Sequence, residues 1–129
     1  MYLIDSDILI AMGRGNTCLQ DKMNSVGLTE CALSEISLAE LYVGAYKVGN
    51  RKLEPLLEFF EGVLKIVPIT QAIKTFAKLR VQLESVGSRL ETMDLFIAAT
   101  ALEGDYTLVS HNKRHYSRIP GLKLEDWIE

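Results

Sequence analysis

The run LIDSDILI (residues 3–10) sets two carboxylates, Asp5 and Asp7, into an otherwise apolar stretch. Three chemistries use such a pair. An aspartate at a helix start caps it by accepting backbone N–H bonds, worth about 1 kcal/mol. An Asp-x-Asp pair at a strand end can attack a phosphoryl group, the first acid as nucleophile and the second as acid/base. Carboxylates in a cleft can also hold a hard divalent cation. Two further acids stand beside apolar segments: Glu40 in SLAEL (37–41) and Asp94 in DLFIAATAL (94–102). Each has a local alternative. Ser37-x-x-Glu40 matches a capping box, in which the glutamate reaches back to the cap's backbone N–H. Asp94 is favourable charge at a helix N-terminus. Yet Glu40 has Ile36, Val43 and Gly44 as helical neighbours, and Asp94 has Ile97 and Ala98. A capping acid would look outward; these two border apolar faces. Ser88-x-x-Glu91 is a second capping box and predicts a helix start upstream of Asp94, leaving Asp94 surplus as a cap.

These acids need elements to bring them together. YLID (2–5) reads as a short buried strand, SDILIAM as a helix, and GRGN (13–16) as a breaker. TCLQDKMNSVG (17–27) is a second helix and ECAL (30–33) a strand. SLAELYVGAYKVG (37–49) is helical and closes at Gly49-Asn50. KLEPLLEFFEGVL (52–64) is a helix that tolerates Pro55 in its first turn, and KIVPI (65–69) is a strand. Residues 70–87 carry the clearest helical spacing, with Ile73, Phe76, Ala77, Leu79, Leu83 and Val86 recurring on one side. MDLFIAATALEG (93–104) is a small-residue-rich helix suited to close packing on a sheet. YTLVS (106–110) and LKLEDW (122–127) complete the strands. The alternation predicts an α/β fold: one domain over residues 1–129, with a parallel sheet of four to five strands and helices on both faces. In such sheets ligands bind beyond the carboxyl ends of the strands, where strand order reverses. That rule puts Asp5 and Ser110 on one edge.

Carboxylates gathered there repel and raise each other's pKa. A divalent cation removes the penalty. An oxygen-only donor set in small number suits Mg²⁺ or Mn²⁺, with waters and a substrate phosphate completing the shell. Such a site activates water against a phosphodiester, and the bound charge lets an acidic cleft accept phosphate. The last point matters because the net charge is −3, so the overall field does not attract nucleic acid. Cys18 and Cys31 have no zinc-type spacing and read as reduced thiols. The longest early apolar run, Ile8–Met12, is too short to span a membrane. A cytoplasmic protein without a membrane partner is the expectation.

With these pieces in order, the chain resembles the PIN-domain proteins, specifically the VapC-type toxins of bacterial and archaeal toxin–antitoxin pairs. The resemblance runs nearly end to end. It rests on YLIDSDILI, LSEISLAELYVGA (33–45), MDLFIAATAL (93–102) and TLVSHNKRHYSRIPGLKLEDW (107–127), in that order and spacing. It implies a metal-dependent endoribonuclease with Asp5, Glu40 and Asp94 as metal-holding acids. It further implies Ser110 as the polar position after the last motif strand, and Asn112 as the motif asparagine. His115 stands where many members have a fourth acid. It is open at this point as a ligand, a water-positioning group, an RNA contact or a loop residue, and the departure weakens a second metal position. Asp7 is a helper to Asp5 or to a metal-bound water, and Glu91 a partial substitute for the missing acid. Arg14, Lys113 and Arg114 are the basic residues assigned to RNA phosphates, with Arg89 and Arg118 nearby in type. The resemblance also implies a homodimer, and a cognate antitoxin whose segment fills the active-site groove.

Two other enzyme classes compete on the acids alone. A haloacid-dehalogenase-like phosphatase opens with Asp-x-Asp, but Ile8-Leu9 replaces the usual small or hydroxyl residues and no later acidic partner motif follows. A response-regulator receiver needs an aspartate at the end of a middle strand, and KIVPIT has none. A PIN-like binding module that has lost activity is the non-enzymatic reading; the retained Asp5, Glu40 and Asp94 argue against it.

Overall fold

The computed structural model describes residues 1–49 and 53–128. Five strands form one parallel sheet: β1 (Tyr2–Ile4), β2 (Cys31–Ser34), β3 (Lys65–Val67), β4 (Thr107–Val109) and β5 (Lys123–Glu125). Their spatial order is β3-β2-β1-β4-β5. The chain lays β2 and β3 to one side of β1, then returns to lay β4 and β5 on the other. Strand order therefore reverses at β1, and the crevice between the carboxyl ends of β1 and β4 is the place where such sheets bind ligands.

Alternation along the strands divides the core into two halves. Leu3 pairs in register with Ala32 and Leu108, and all three face one side. Ile4 and Val109 are paired and face the other, with Cys31 and Leu33. The first side is covered by α5 (Ile73–Ser85) and α6 (Thr92–Glu103). The second is covered by α1 (Ser6–Gly13), α2 (Thr17–Val26), α3 (Glu35–Val48) and α4 (Leu53–Val63). A short helix, α7 (Lys113–Tyr116), follows β4. The expected α/β class with helices on both faces is what forms.

Helix α6 lies between the sheet and α5 and is buried almost all round, from Leu95 through Ala101 apart from half-buried Phe96. Its alanines permit that close approach, and Phe96 stacks on Phe76 of α5 with ring centroids 3.8 Å apart. Helix α3 ends at Gly49, whose φ of +65° is the left-handed cap that glycine accepts without a Cβ penalty. Asn50, the other half of the expected stop, and Lys52, the expected start of α4, lie outside the described residues. Cys31 is buried and Cys18 exposed, both as free thiols. Among the described residues no helix is long and apolar enough to cross a membrane.

Several sequence expectations need correction. Helix α3 begins at Glu35, and Ser34 is its cap, accepting from the Ile36 N–H at 3.1 Å. Ser37-x-x-Glu40 is therefore not a capping box: Ser37 is inside the helix with its Oγ buried and without a partner among the described residues. The cause is that β2 runs into α3 without a loop, so one serine ends the strand and starts the helix. Ser88-x-x-Glu91 does not begin α6 either; Glu91 is its N-cap residue by position, and Ser88 Oγ accepts from Arg118. On α5, Leu79 and Leu83 are buried, whereas Ile73, Ala77 and Val86 are exposed. On α3, Val43 is 64% exposed, so the face beside Glu40 is less buried than its apolar residues suggest.

The two serines of α3 make opposite predictions. Ser34→Ala should lower unfolding free energy by about 1 kcal/mol through loss of the cap. Ser37→Ala removes an unpaired buried hydroxyl and should be neutral or stabilising. Urea titration of both variants checks the assignment, and the reverse order would contradict it.

Candidate active site

Asp5 follows β1 directly and is fixed from both sides. Its backbone N–H donates to Val109 O at 2.9 Å, extending the β1–β4 pairing by one residue. Its extended backbone and its Oδ1, which accepts from the Ser6 N–H at 2.8 Å, make it the N-cap of α1. Its Oδ2 accepts from Ser110 Oγ at 2.9 Å. Asp5 thus caps a helix and faces the crevice at once; the two readings of LIDSDILI are not exclusive. It is only 6% exposed. Burial, and then the charge of Asp7, pushes its carboxyl up to about 7, against the lowering effect of the Ser110 and Ser6 hydrogen bonds; Asp94 adds to the rise.

Ser110 follows β4 and is fully buried. Its hydroxyl accepts from the Asn112 N–H at 3.0 Å, which turns its own proton towards Asp5. Asp7, in the first turn of α1, accepts from the His111 N–H at 3.0 Å through Oδ2. Its Oδ1 is buried with no partner among the described residues. Burial holds the Asp7 carboxyl above its ordinary range, opposed by the His111 hydrogen bond.

Asp94 opens α6 from the other side of the sheet. Tyr116 Oη donates to its Oδ1 at 3.3 Å, and His115 Nδ1 stands 3.4 Å from its Oδ2. The Asn112 amide nitrogen is 2.8 Å from the same Nδ1. The Asn112 amide and the Asp94 carboxylate thus meet at one ring nitrogen of His115. Glu40, on α3, is half-buried. Burial raises its carboxyl, followed by the charges of Asp94, Glu91 and Asp7. The fold thus collects Asp5, Asp7, Glu40 and Asp94, with exposed Glu91 at the margin.

Ser110, Asn112 and His115 lie at this centre. Lys113 and Arg114 are exposed on α7 beside it, and Lys113 Nζ lies 3.8 Å from Asp126. Arg14 is exposed at the far end of α1, about 12 Å of helix from Asp5. Two contributors escaped the sequence. Tyr116 is wholly buried with its hydroxyl among the acids, and His111 serves through its backbone while its Nδ1 meets Asp126 at 2.8 Å. The only advance signal for Tyr116 was that a buried tyrosine needs an acceptor for its hydroxyl.

The donor set fits a hard divalent cation. It is all oxygen, it holds an orphaned buried oxygen on Asp7, and its charges face acids instead of bases. Among the described residues no three His, Cys, Asp or Glu side chains close into a ligand cage by themselves. Mg²⁺ does not require one, since it keeps several waters and takes one or two carboxylates plus substrate phosphate.

Comparison with known proteins finds a matching family and relatives along nearly the whole chain. The PIN domain family pattern matches residues 2–122. Ribonuclease VapC2 of Rickettsia felis is 31% identical over 98% of both chains. The tRNA(fMet)-specific endonuclease VapC of Salmonella typhimurium is 29% identical over 84% of this chain and 83% of its own. The structure of VapBC2 from Rickettsia felis, bound to a DNA fragment from their promoter, superposes with a TM-score of 0.89 at 29% identity, covering 98% of each chain.

The raised Asp5 carboxyl gives a signed pH dependence for metal-free protein. A folded-state pKa near 7 against about 3.9 unfolded means the folded chain binds the extra proton between those values. The associated stability is present below about pH 4 and is lost as pH rises through about 7. Its size should be on the order of a few kcal/mol. Urea unfolding in chelator at pH 4.5 and 7.5 should show the fall. Asp5→Asn, which keeps a capping side chain, should flatten it; an unchanged slope would contradict the buried-acid assignment.

Proposed function

This chain belongs to the PIN domain family, and on that premise we propose that it is the endoribonuclease toxin of a toxin–antitoxin pair, with the acidic centre at β1 and β4 as its active site. The observation that carries the reading is Asp5: a carboxyl buried at a strand-order reversal, hydrogen-bonded to Ser110 from β4 and raised by neighbouring acids. Such an arrangement is costly unless a cation is to be held there.

Asp5 and Asp94 would hold the cation, with Glu40 reaching it directly or through water. Mg²⁺ or Mn²⁺ is the ion that an all-oxygen set of this size suits, and the chemistry it supplies is activation of water and neutralisation of phosphodiester charge during in-line displacement. Ser110 orients Asp5 by donating to Oδ2, and Asn112 in turn orients Ser110. Asp7, anchored by the His111 N–H, presents its free Oδ1 towards a water or the ion. Exposed Lys113 and Arg114 stand where an RNA backbone would approach; Arg14 would meet only a strand extending along α1.

The substrate class follows from relatives named as ribonucleases, one of them acting on tRNA(fMet). A cognate antitoxin follows from the VapBC complex that this chain matches over its length. A homodimer in the cytoplasm belongs to the same reading; Val43 and Tyr46 leave α3 with large apolar side chains 64% and 65% exposed, a face suited to a second copy. The phosphatase reading loses ground because Asp7 is tied to the His111 backbone inside α1. The receiver reading loses it because β3, without an acid, is an edge strand.

RNA cleavage by the purified chain should need Mg²⁺ or Mn²⁺ and stop with chelator. Asp94→Asn should lower the rate by more than the roughly 10–100-fold expected for an outer-shell partner, with circular dichroism unchanged. Metal-independent cleavage, or full activity in that variant, would defeat the assignment.

A further inference from the structure

Tyr116 ends α7 with its ring fully buried in the core half formed by Leu3, Leu95, Ala98, Leu108 and Ile119. Packing fixes the ring, and with only two side-chain torsions the hydroxyl is fixed with it. That hydroxyl projects out of an apolar half-core into the acidic centre, 3.3 Å from Asp94 Oδ1. We propose that Tyr116 is a positioning residue of the metal centre: its hydroxyl steadies the Asp94 carboxylate opposite Asp5 and so sets the gap in which the cation is held. The proposal rests on the metal-dependent reading above.

The two carboxylates are delivered by different helices on opposite faces of the sheet, α1 and α6. Asp5 has firm local donors in the Ser6 N–H and Ser110 Oγ. Asp94 has two longer contacts, Tyr116 Oη at 3.3 Å and His115 Nδ1 at 3.4 Å, and that ring nitrogen is also 2.8 Å from the Asn112 amide. Of the two, the Tyr116 hydroxyl donates whichever ring nitrogen of His115 carries the proton. A distance of 3.3 Å is long for an O–H···carboxylate bond, ordinarily about 2.5–2.7 Å. A buried tyrosine that merely found the nearest acceptor would stabilise the fold without affecting what the two acids bind.

Mn²⁺ titration calorimetry on wild type and Tyr116→Phe separates these roles, since phenylalanine keeps the ring and deletes only the hydroxyl. The expected result is a Mn²⁺ dissociation constant about tenfold weaker in Tyr116→Phe, while its metal-free melting temperature stays within a few degrees. Equal Mn²⁺ affinity in the two proteins overturns the proposal. Wild type that binds no Mn²⁺ overturns the metal reading with it; wild-type binding with an unaffected variant overturns only the role of Tyr116. A second measurement does not depend on the variant folding. In wild type labelled with ¹³Cζ-tyrosine, the Tyr116 resonance, assigned through its core contacts, should shift as Mg²⁺ saturates the site. A Tyr116 resonance that stays in place at saturation overturns the proposal.

Discussion

A carboxylate that is 6% exposed, with other carboxylates for neighbours, is the constraint around which this molecule is arranged. Asp5 cannot relax into water because its own N–H continues the β1–β4 ladder and its Oδ1 starts α1. The Ser110 and Ser6 hydrogen bonds favour its ionised form, but burial and the charge of Asp7 outweigh them and push the carboxyl up to about 7. Strand order reverses beside it, so residues from distant parts of the chain arrive at the same edge: Ser110 from β4, Asp94 from α6, His115 and Tyr116 from α7. Hydrogen bonds lighten the electrostatic load without removing it. A cation would remove it, and phosphodiester binding would follow from the same charge balance.

Much of this frame was legible in the residues. Short apolar runs alternating with helical spacing gave the element order and the parallel sheet, and the rule for such sheets brought Asp5 and Ser110 together in advance. What escaped has physical reasons. Ser34 both ends β2 and caps α3, so the helical stretch read from residue 37 starts two residues late. On α5 the 3.6-residue period marks a helix, but apolar Ile73 and Val86 lie on its open side, and only the packing against α6 reveals that Leu79 and Leu83 are the buried ridge. Helix α7 is four residues long and carries no periodic signal, which is why Tyr116 was invisible as a site residue.

The acids themselves were found for partly the wrong reason. Asp5 was weighed as a cap against a ligand, yet it caps α1 while facing the crevice. One side chain serves both roles because a carboxylate oxygen has two lone pairs, and Asp5 spends one hydrogen bond on each oxygen. His115, standing where an acid was expected, meets the Asn112 amide at 2.8 Å and stands 3.4 Å from Asp94. The centre is therefore lopsided: firmly held on the Asp5 side, lightly held on the Asp94 side.

The central claim is that Asp5 and Asp94 together hold one divalent cation. Crystals of the protein soaked in Mn²⁺ and measured for anomalous scattering test it most directly. The account predicts a peak in direct contact with both carboxylates, at the carboxyl ends of β1 and β4. No peak there at saturating Mn²⁺, or a peak held by other residues with Asp5 and Asp94 left apart from it, would contradict the account.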